Sequence, residues 1–220
     1  MVVGDMKIVE IRKDEGGFSG LLREIPGCPE KLYCLGNVGL LREKKVLAVV
    51  GSRGMSEYGK GMIKKLIPEL VEAGFVIVSG MAFGVDAEVH RVCIDSRGRA
   101  IAVLASGVDV ISPMSNKWIY DKVLRHNGLI VSELKSGVRP TRESFLPRNR
   151  IISGLSLGVL IVEARRRSGT LNTASNAALQ GREVMVVPGR VSDMNSGGVN
   201  WLLKNGASLV ENVDDVLNIF

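Results

Sequence analysis

From residue 46 onward, short runs of apolar residues alternate with longer segments in which apolar positions recur every three or four residues. Val46–Val50, Phe75–Val78, Ala100–Leu104, Leu129–Val131, Val159–Val162, Val184–Val187 and Ser208–Val210 read as strands. Between them, Ser56–Ala73, Val85–Ser96, Lys117–His126, Arg148–Leu155, Thr170–Leu179, Val199–Lys204 and Val213–Ile219 read as helices. Strands that are apolar on both faces and alternate with helices predict a parallel sheet covered on both sides. Right-handed crossovers then bring every strand's C-terminal end to one edge, the edge at which open α/β sheets bind ligands. Residues 1–44 show no clean period and contain Pro26 and Pro29. They are expected to form an N-terminal arm on a sheet domain covering 45–220.

The predicted strands end in Gly51-Ser52-Arg53, Ser79-Gly80, Ser106-Gly107, Ser132-Glu133, Glu163-Ala164 and Pro188-Gly189. Glycine lets backbone N–H groups approach an anion, serine adds a hydroxyl, and helix N-termini add their dipole. Gly51, Ser52, Ser79, Gly80, Gly84, Ser106 and Gly107 are therefore candidates for a phosphate-lined groove. Ser168, Gly169 and Thr170, at the start of a predicted helix, make a second cradle or simply a helix cap.

The chain has 220 residues, 45% of them apolar, and a net charge of +6. That composition argues for a sizeable core and against wholesale disorder. No run approaches the about 20 apolar residues of a membrane span. The N-terminus alternates charge from Asp5 to Glu15 and shows no apolar signal segment. Cys28, Cys34 and Cys93 are expected to be reduced thiols of a cytoplasmic protein.

The basic residues are concentrated. Seven arginines and two acids lie between Arg139 and Arg167, a net +5 in that segment. Its first part sets Phe145 among Arg139, Arg142, Arg148 and Arg150, in a loop that two prolines are expected to hold extended. Arginines for phosphates with an aromatic ring for a base suit single-stranded nucleic acid. Phe145 belongs either to that surface or to the core. Arg53, beside a helix start, can fork onto a phosphate.

Catalytic chemistry is not evident. Asp86 and His90 are one helical turn apart and can pair, but no nucleophile stands beside them. Glu133 and Glu163, at strand ends, suit general bases or groups that orient arginines. No metal-ligand spacing, G-x-G-x-x-G fingerprint or P-loop occurs, so no metal or cofactor is expected.

In order along the chain stand Gly51-Ser52-Arg53 with Ser56 and Tyr58-Gly59, and Ser79-Gly80-Met81-Ala82-Phe83-Gly84-Val85-Asp86 with His90. Phe145-Leu146-Pro147-Arg148-Asn149-Arg150 follows, then Glu163-Ala164, Ser168-Gly169-Thr170, Pro188-Gly189 and Gly197-Gly198 with Asn200. This series resembles the DNA-processing protein A family, also called DprA or Smf. The resemblance implies an extended Rossmann-like fold that binds single-stranded DNA without cleaving it. It further implies protection of incoming DNA in natural transformation, loading of a RecA-type recombinase, and a homodimer. By motif match, Arg53, Phe145, Arg148 and Arg150 would contact DNA, with Arg142 a basic neighbour. Many relatives carry an additional N-terminal helical domain and a C-terminal winged-helix-like domain, so a minimal version is expected here. The alternative reading is a nucleotide sensor or a phosphoribohydrolase-like enzyme. Against it, Arg166-Arg167-Ser168-Gly169-Thr170 lacks the Pro-Gly-Gly start of such sites.

Overall fold

The computed structural model describes residues 6–220; residues 1–5 of the expected arm, with Asp5 of the charged N-terminus, lie outside the described residues. Strands β1 (Val9–Arg12), β2 (Lys31–Gly36), β3 (Val46–Val50), β4 (Val76–Ser79), β5 (Ala100–Val103), β6 (Leu129–Ser132), β7 (Gly158–Ile161), β8 (Glu183–Val186) and β9 (Ser208–Leu209) form one sheet. The order across it is β1-β2-β6-β5-β4-β3-β7-β8-β9. From β6 to β9 all pairings are parallel, while β2 is antiparallel to both β1 and β6.

The helices are α1 (Gly20–Arg23), α2 (Glu57–Glu72), α3 (Val85–Asp95), α4 (Lys117–Arg125), α5 (Phe145–Gly154), α6 (Gly169–Leu179), α7 (Gly197–Lys204) and α8 (Val213–Leu217). The chain winds outward from β3 in two directions, so right-handed crossovers place the two helix sets on opposite faces. Ile63, Leu66, Ile67 and Leu70 of α2 share one apolar layer with Val85, Val89, Val123 and Val216 of α3, α4 and α8. Ile151 and Ile152 of α5 share the other with Ala174, Ala177 and Val199 of α6 and α7. This is the three-layer α/β architecture with a mostly parallel sheet that the alternation of periods predicts. All five residues of β3 are buried, as a central strand covered on both faces requires.

Residues 6–44, read as an arm, supply β1 and β2 to this sheet and Phe18, Leu22 and Ile25 to the α5 layer. The expected extended loop ahead of Arg148 is instead the beginning of a helix. Arg142–Ser144 form a single 3-10 turn, capped where the Thr141 N–H donates to Ser144 Oγ at 3.1 Å. Helix α5 then starts at Phe145. Pro147 is tolerated there because first-turn N–H groups have no intrahelical acceptor to lose.

Candidate nucleic-acid interface

Between β3 and β7 the strand order reverses direction, and the connections following those strands part. A cleft of about 930 Å³ opens there. Its walls are Gly51–Gly54 after β3, Pro140–Arg142, the start of α5 at Phe145 and Leu146, Arg165, and Ser168–Thr170 at the start of α6.

The glycine turns are shaped by what they pack against. A Cβ on Gly51 would lie 2.7 Å from the Val85 side chain, so α3 can approach β3 only over glycine. Gly84 has φ +73° and packs on the Ser52 and Arg53 carbonyls. Ser52 Oγ accepts from the Gly54 N–H at 3.2 Å. Asn195 braces the same turn from the far side: its Nδ2 donates to the Gly54 carbonyl at 2.6 Å and its Oδ1 accepts from Arg165 Nε at 3.1 Å. Asn195 was not singled out in the sequence, because it sits in an irregular loop that meets Gly54 only in the fold.

On the opposite wall, Ser168 occupies the N-cap position of α6 but its side chain makes no cap bond. Its Oγ is buried and has no hydrogen-bond partner among the described residues, which leaves a donor in the cleft wall. The first N–H groups of α6, around Gly169 and Thr170, add the positive end of the helix dipole.

The arginines divide into three groups. Arg53, Arg142 and Arg165 are exposed and line the cleft. Arg53 holds its guanidinium over the half-buried Phe145 ring, 5.0 Å from the centroid. Phe145 is thus a cleft-wall residue rather than part of either apolar core.

Arg148 forms the floor and is only 7% exposed. Its Nη1 donates to the Gly80 carbonyl at 2.7 Å and to the Val103 carbonyl. Burial pulls its pKa down to about 10, against the opposing attraction of Asp86. Asp86 itself is buried and accepts from the Gly80 N–H at 3.2 Å and the Ala82 N–H at 3.4 Å. Desolvation raises its pKa, while Arg148 and the backbone donors lower it. The two side chains together fill the place of a Cβ on Gly80, which would lie 2.7 Å from Asp86 and 2.8 Å from Arg148.

Arg150 does not line the cleft. Its Nη2 donates to both carboxylate oxygens of Glu133 at 2.7 and 2.9 Å, and its Nε donates to the Gly27 carbonyl at 2.8 Å. It fastens α5 to β6 and to the N-terminal segment. Arg139, Arg166 and Arg167 also lie outside the lining; Arg166 instead rests over Trp201.

The Ser/Gly turns after β4 and β5 support the cleft from within. Ser79 is fully buried and donates to the Val49 carbonyl at 2.7 Å. Ser106 donates to the Val110 carbonyl at 2.6 Å, and the Gly107 N–H donates to Val138 at 2.8 Å. Ser106 and Gly80 also line a small annex beside Arg53, Phe83 and Phe145.

Both candidate bases accept hydrogen bonds from neighbouring groups. Glu163 accepts from the Ser56 N–H at 2.9 Å and from its hydroxyl, a carboxylate at the N-terminus of α2. Glu133 is taken up by Arg150. His90 and Asp86 do not hydrogen-bond: both His90 ring nitrogens are buried without partners among the described residues. Among the described residues no three His, Cys, Asp or Glu are gathered as a metal ion would require, and no helix is long and apolar enough to cross a membrane.

Comparison with known proteins agrees with this fold. The chain is 42% identical over 199 residues to the DNA processing protein DprA of Streptococcus pneumoniae, covering 90% of this chain and 70% of that protein. The X-ray structure of the S. pneumoniae protein superposes with a TM-score of 0.91 over 97% of this chain and 75% of that one, at 38% identity. DprA of Bacillus subtilis is 38% identical over 195 residues, 89% of this chain and 65% of its own length, so the chain spans about two thirds of that relative. A structure of DNA processing protein A from Helicobacter pylori, described for its single-stranded DNA binding mode, superposes with a TM-score of 0.86 at 30% identity. That match covers 98% of this chain and 95% of the H. pylori chain. The family pattern described as DNA recombination-mediator protein A matches residues 10–220, and the chain belongs to that family.

Proposed function

We propose that this protein binds single-stranded DNA in the β3/β7 cleft and acts as a recombination mediator rather than as an enzyme. The observation that carries the reading is the Arg53–Phe145 pair at the cleft wall, flanked by Arg142 and Arg165. Guanidinium groups on a backbone and an aromatic face for a base are the two requirements for holding an unpaired strand. The α6 N-terminus supplies fixed donors above a floor in which Arg148 is held by the Gly80 and Val103 carbonyls. The H. pylori relative's reported binding of single-stranded DNA supports the same use of this fold. The protein works in the cytoplasm as a homodimer, protects DNA entering by natural transformation or arising in recombination, and passes it to a RecA-type recombinase. The family match favours this reading over that of a nucleotide-hydrolysing enzyme.

Titration of a labelled oligonucleotide against salt, with duplex as control, tests the proposal. Wild type should bind the single strand more tightly than the duplex and lose affinity linearly in log salt. Arg53→Ala should weaken binding to every sequence. Equal affinity for both nucleic acids, or an unaffected Arg53→Ala, would overturn it.

A further inference from the structure

The parallel strands have a second end, opposite the cleft. There β3, β4, β5 and β6 begin, beside the end of the antiparallel strand β2. The chain segments arriving at that end carry Arg42, Lys44, Lys45, Arg97, Arg99 and Arg125. Their places follow the strand order: Arg125 ahead of β6, Arg97 and Arg99 ahead of β5, and Arg42, Lys44 and Lys45 ahead of β3. The first and last of these strands are three sheet spacings apart, about 14 Å. That is the axial run of about four phosphates on one strand of a duplex.

Much of the opposing charge at this end is already engaged. Glu43 pairs with Arg99. Asp95 is held by Arg91 at 2.8 Å and Lys122 at 3.3 Å. Glu72, at the end of α2, is exposed. Lys45 is committed to the Ala73 carbonyl at 2.7 Å. Arg42, Lys44, Arg97 and Arg125 are exposed and make no ion pair or side-chain hydrogen bond among the described residues. Beside Arg125, a groove of about 760 Å³ runs between Asn37, Asn127 and Lys7.

We propose that this end of the sheet is a second polyanion-binding surface, which takes another segment of nucleic acid by its phosphates alone. A protein partner would need an apolar or aromatic anchor at the centre of the interface. Ile8 and Val9, exposed large apolar side chains near this end, lie at the start of the edge strand β1 and not among the basic connections 37–45, 73–75, 96–99 and 126–128 at its centre. That centre also separates this surface from the cleft: with no exposed ring there to stack on a base, it accepts duplex and single strand alike. A protein that held one strand in the cleft and another nucleic acid at its opposite end would bring two DNA segments together. The surface rests on its own residues and does not depend on the cleft reading.

The experiment uses the full chain with Arg53→Ala and Phe145→Ala to weaken the cleft, and a fluorescent duplex as probe. This variant should retain salt-dependent duplex binding. Adding Lys44→Glu, Arg97→Glu and Arg125→Glu should lower duplex affinity at least about tenfold and make the log–log salt slope shallower by about 2–3. The corresponding glutamine set, which keeps surface polarity, should show a smaller loss in the same direction, with thermal unfolding confirming that both sets are folded. No duplex binding by the cleft-weakened protein, or binding unchanged by both charge sets, would overturn the proposal. Displacement of the duplex by poly-glutamate more readily than by unlabelled duplex of equal charge would also overturn it, since the surface would then be one for an acidic protein. Failure of the cleft reading is seen separately, in oligonucleotide binding by Arg53→Ala alone.

Discussion

Arg53 lies with its guanidinium carbon 5.0 Å from the centre of the Phe145 ring, so the turn after β3 and the first residue of α5 meet as a cation–π pair across the cleft wall. Such a contact contributes about 0.5–1 kcal/mol at an exposed site. It also holds the guanidinium facing the cleft. A double-mutant cycle on oligonucleotide binding should therefore be non-additive: Arg53→Ala and Phe145→Ala together should cost less than the sum of the two. Phe145→Ala should reduce the preference for single strand over duplex more than it reduces binding as a whole, because a base loses its stacking face, worth about 1–3 kcal/mol. Strict additivity would mean that ring and guanidinium contact DNA independently.

Arg150 gives the opposite expectation. Its hydrogen bonds to Glu133 and the Gly27 carbonyl commit it to holding α5 in place. Arg150→Ala should lower stability by about 1.5–3 kcal/mol, the range for charge-assisted hydrogen bonds. It should leave the salt slope of oligonucleotide binding unchanged, because no phosphate contact is lost. Denaturant unfolding and a salt titration on one preparation check both parts. A shallower slope with unchanged stability would return Arg150 to the DNA surface.

The contrast between Arg53 and Arg150 shows how far the sequence is legible. Strands β3 to β8 can be read from their apolar runs because a covered parallel sheet leaves little doubt about burial. In β1, only Ile11 of Val9–Arg12 is buried, so the edge strand has no apolar run to reveal it. Strand β2 does carry an apolar run, Leu32–Leu35, but it stands isolated among the prolines and glycines of the N-terminal segment, with no helix period beside it to mark it as part of the sheet. The basic segment shows which residues carry charge but not which way each points. Three positions of Phe145-Leu146-Pro147-Arg148-Asn149-Arg150 have three fates: Phe145 faces the cleft, Arg148 lies beneath it, and Arg150 turns to the N-terminal segment. Those directions follow from α5 beginning at Phe145, and from partners as distant in sequence as Gly27 and Gly80.

Arg148 should behave as a structural ion. Its guanidinium satisfies the Gly80 and Val103 carbonyls and stands opposite the buried Asp86. Arg148→Met removes the charge and leaves that carboxylate without its counter-charge. The Gly80 and Val103 carbonyls left without their donor cost about 1–3 kcal/mol each. The variant should therefore unfold at markedly lower denaturant, whereas Arg53→Ala should cost only about 0.5–1 kcal/mol, the worth of its contact with Phe145. Adding Asp86→Asn to Arg148→Met should restore part of the loss, since the stranded charge is gone. If Arg148→Met unfolds like wild type, the floor of the cleft is not held by this pair.

His90 predicts the acid limb of the stability curve. Burial lowers its pKa from 6.5 to about 4, with the Ser79 backbone opposing the shift and the positive charge of Arg148 adding to it. Above pH 6.5 the ring is neutral in both folded and unfolded chains, and the native state carries no penalty. As pH falls below 6.5 the unfolded chain takes up a proton that the folded chain refuses, so stability declines by about 1.4 kcal/mol per pH unit until the folded pKa is reached. Over the interval from 6.5 to about 4 the loss from this one residue is about 3 kcal/mol. His90→Leu should flatten that limb. It should also hold or raise stability at pH 7, because neither ring nitrogen has a hydrogen bond to lose. Denaturant midpoints of both proteins between pH 7 and pH 4 provide the test. Parallel curves would show that the imidazole is solvated in the native state, against its burial in the α3 layer.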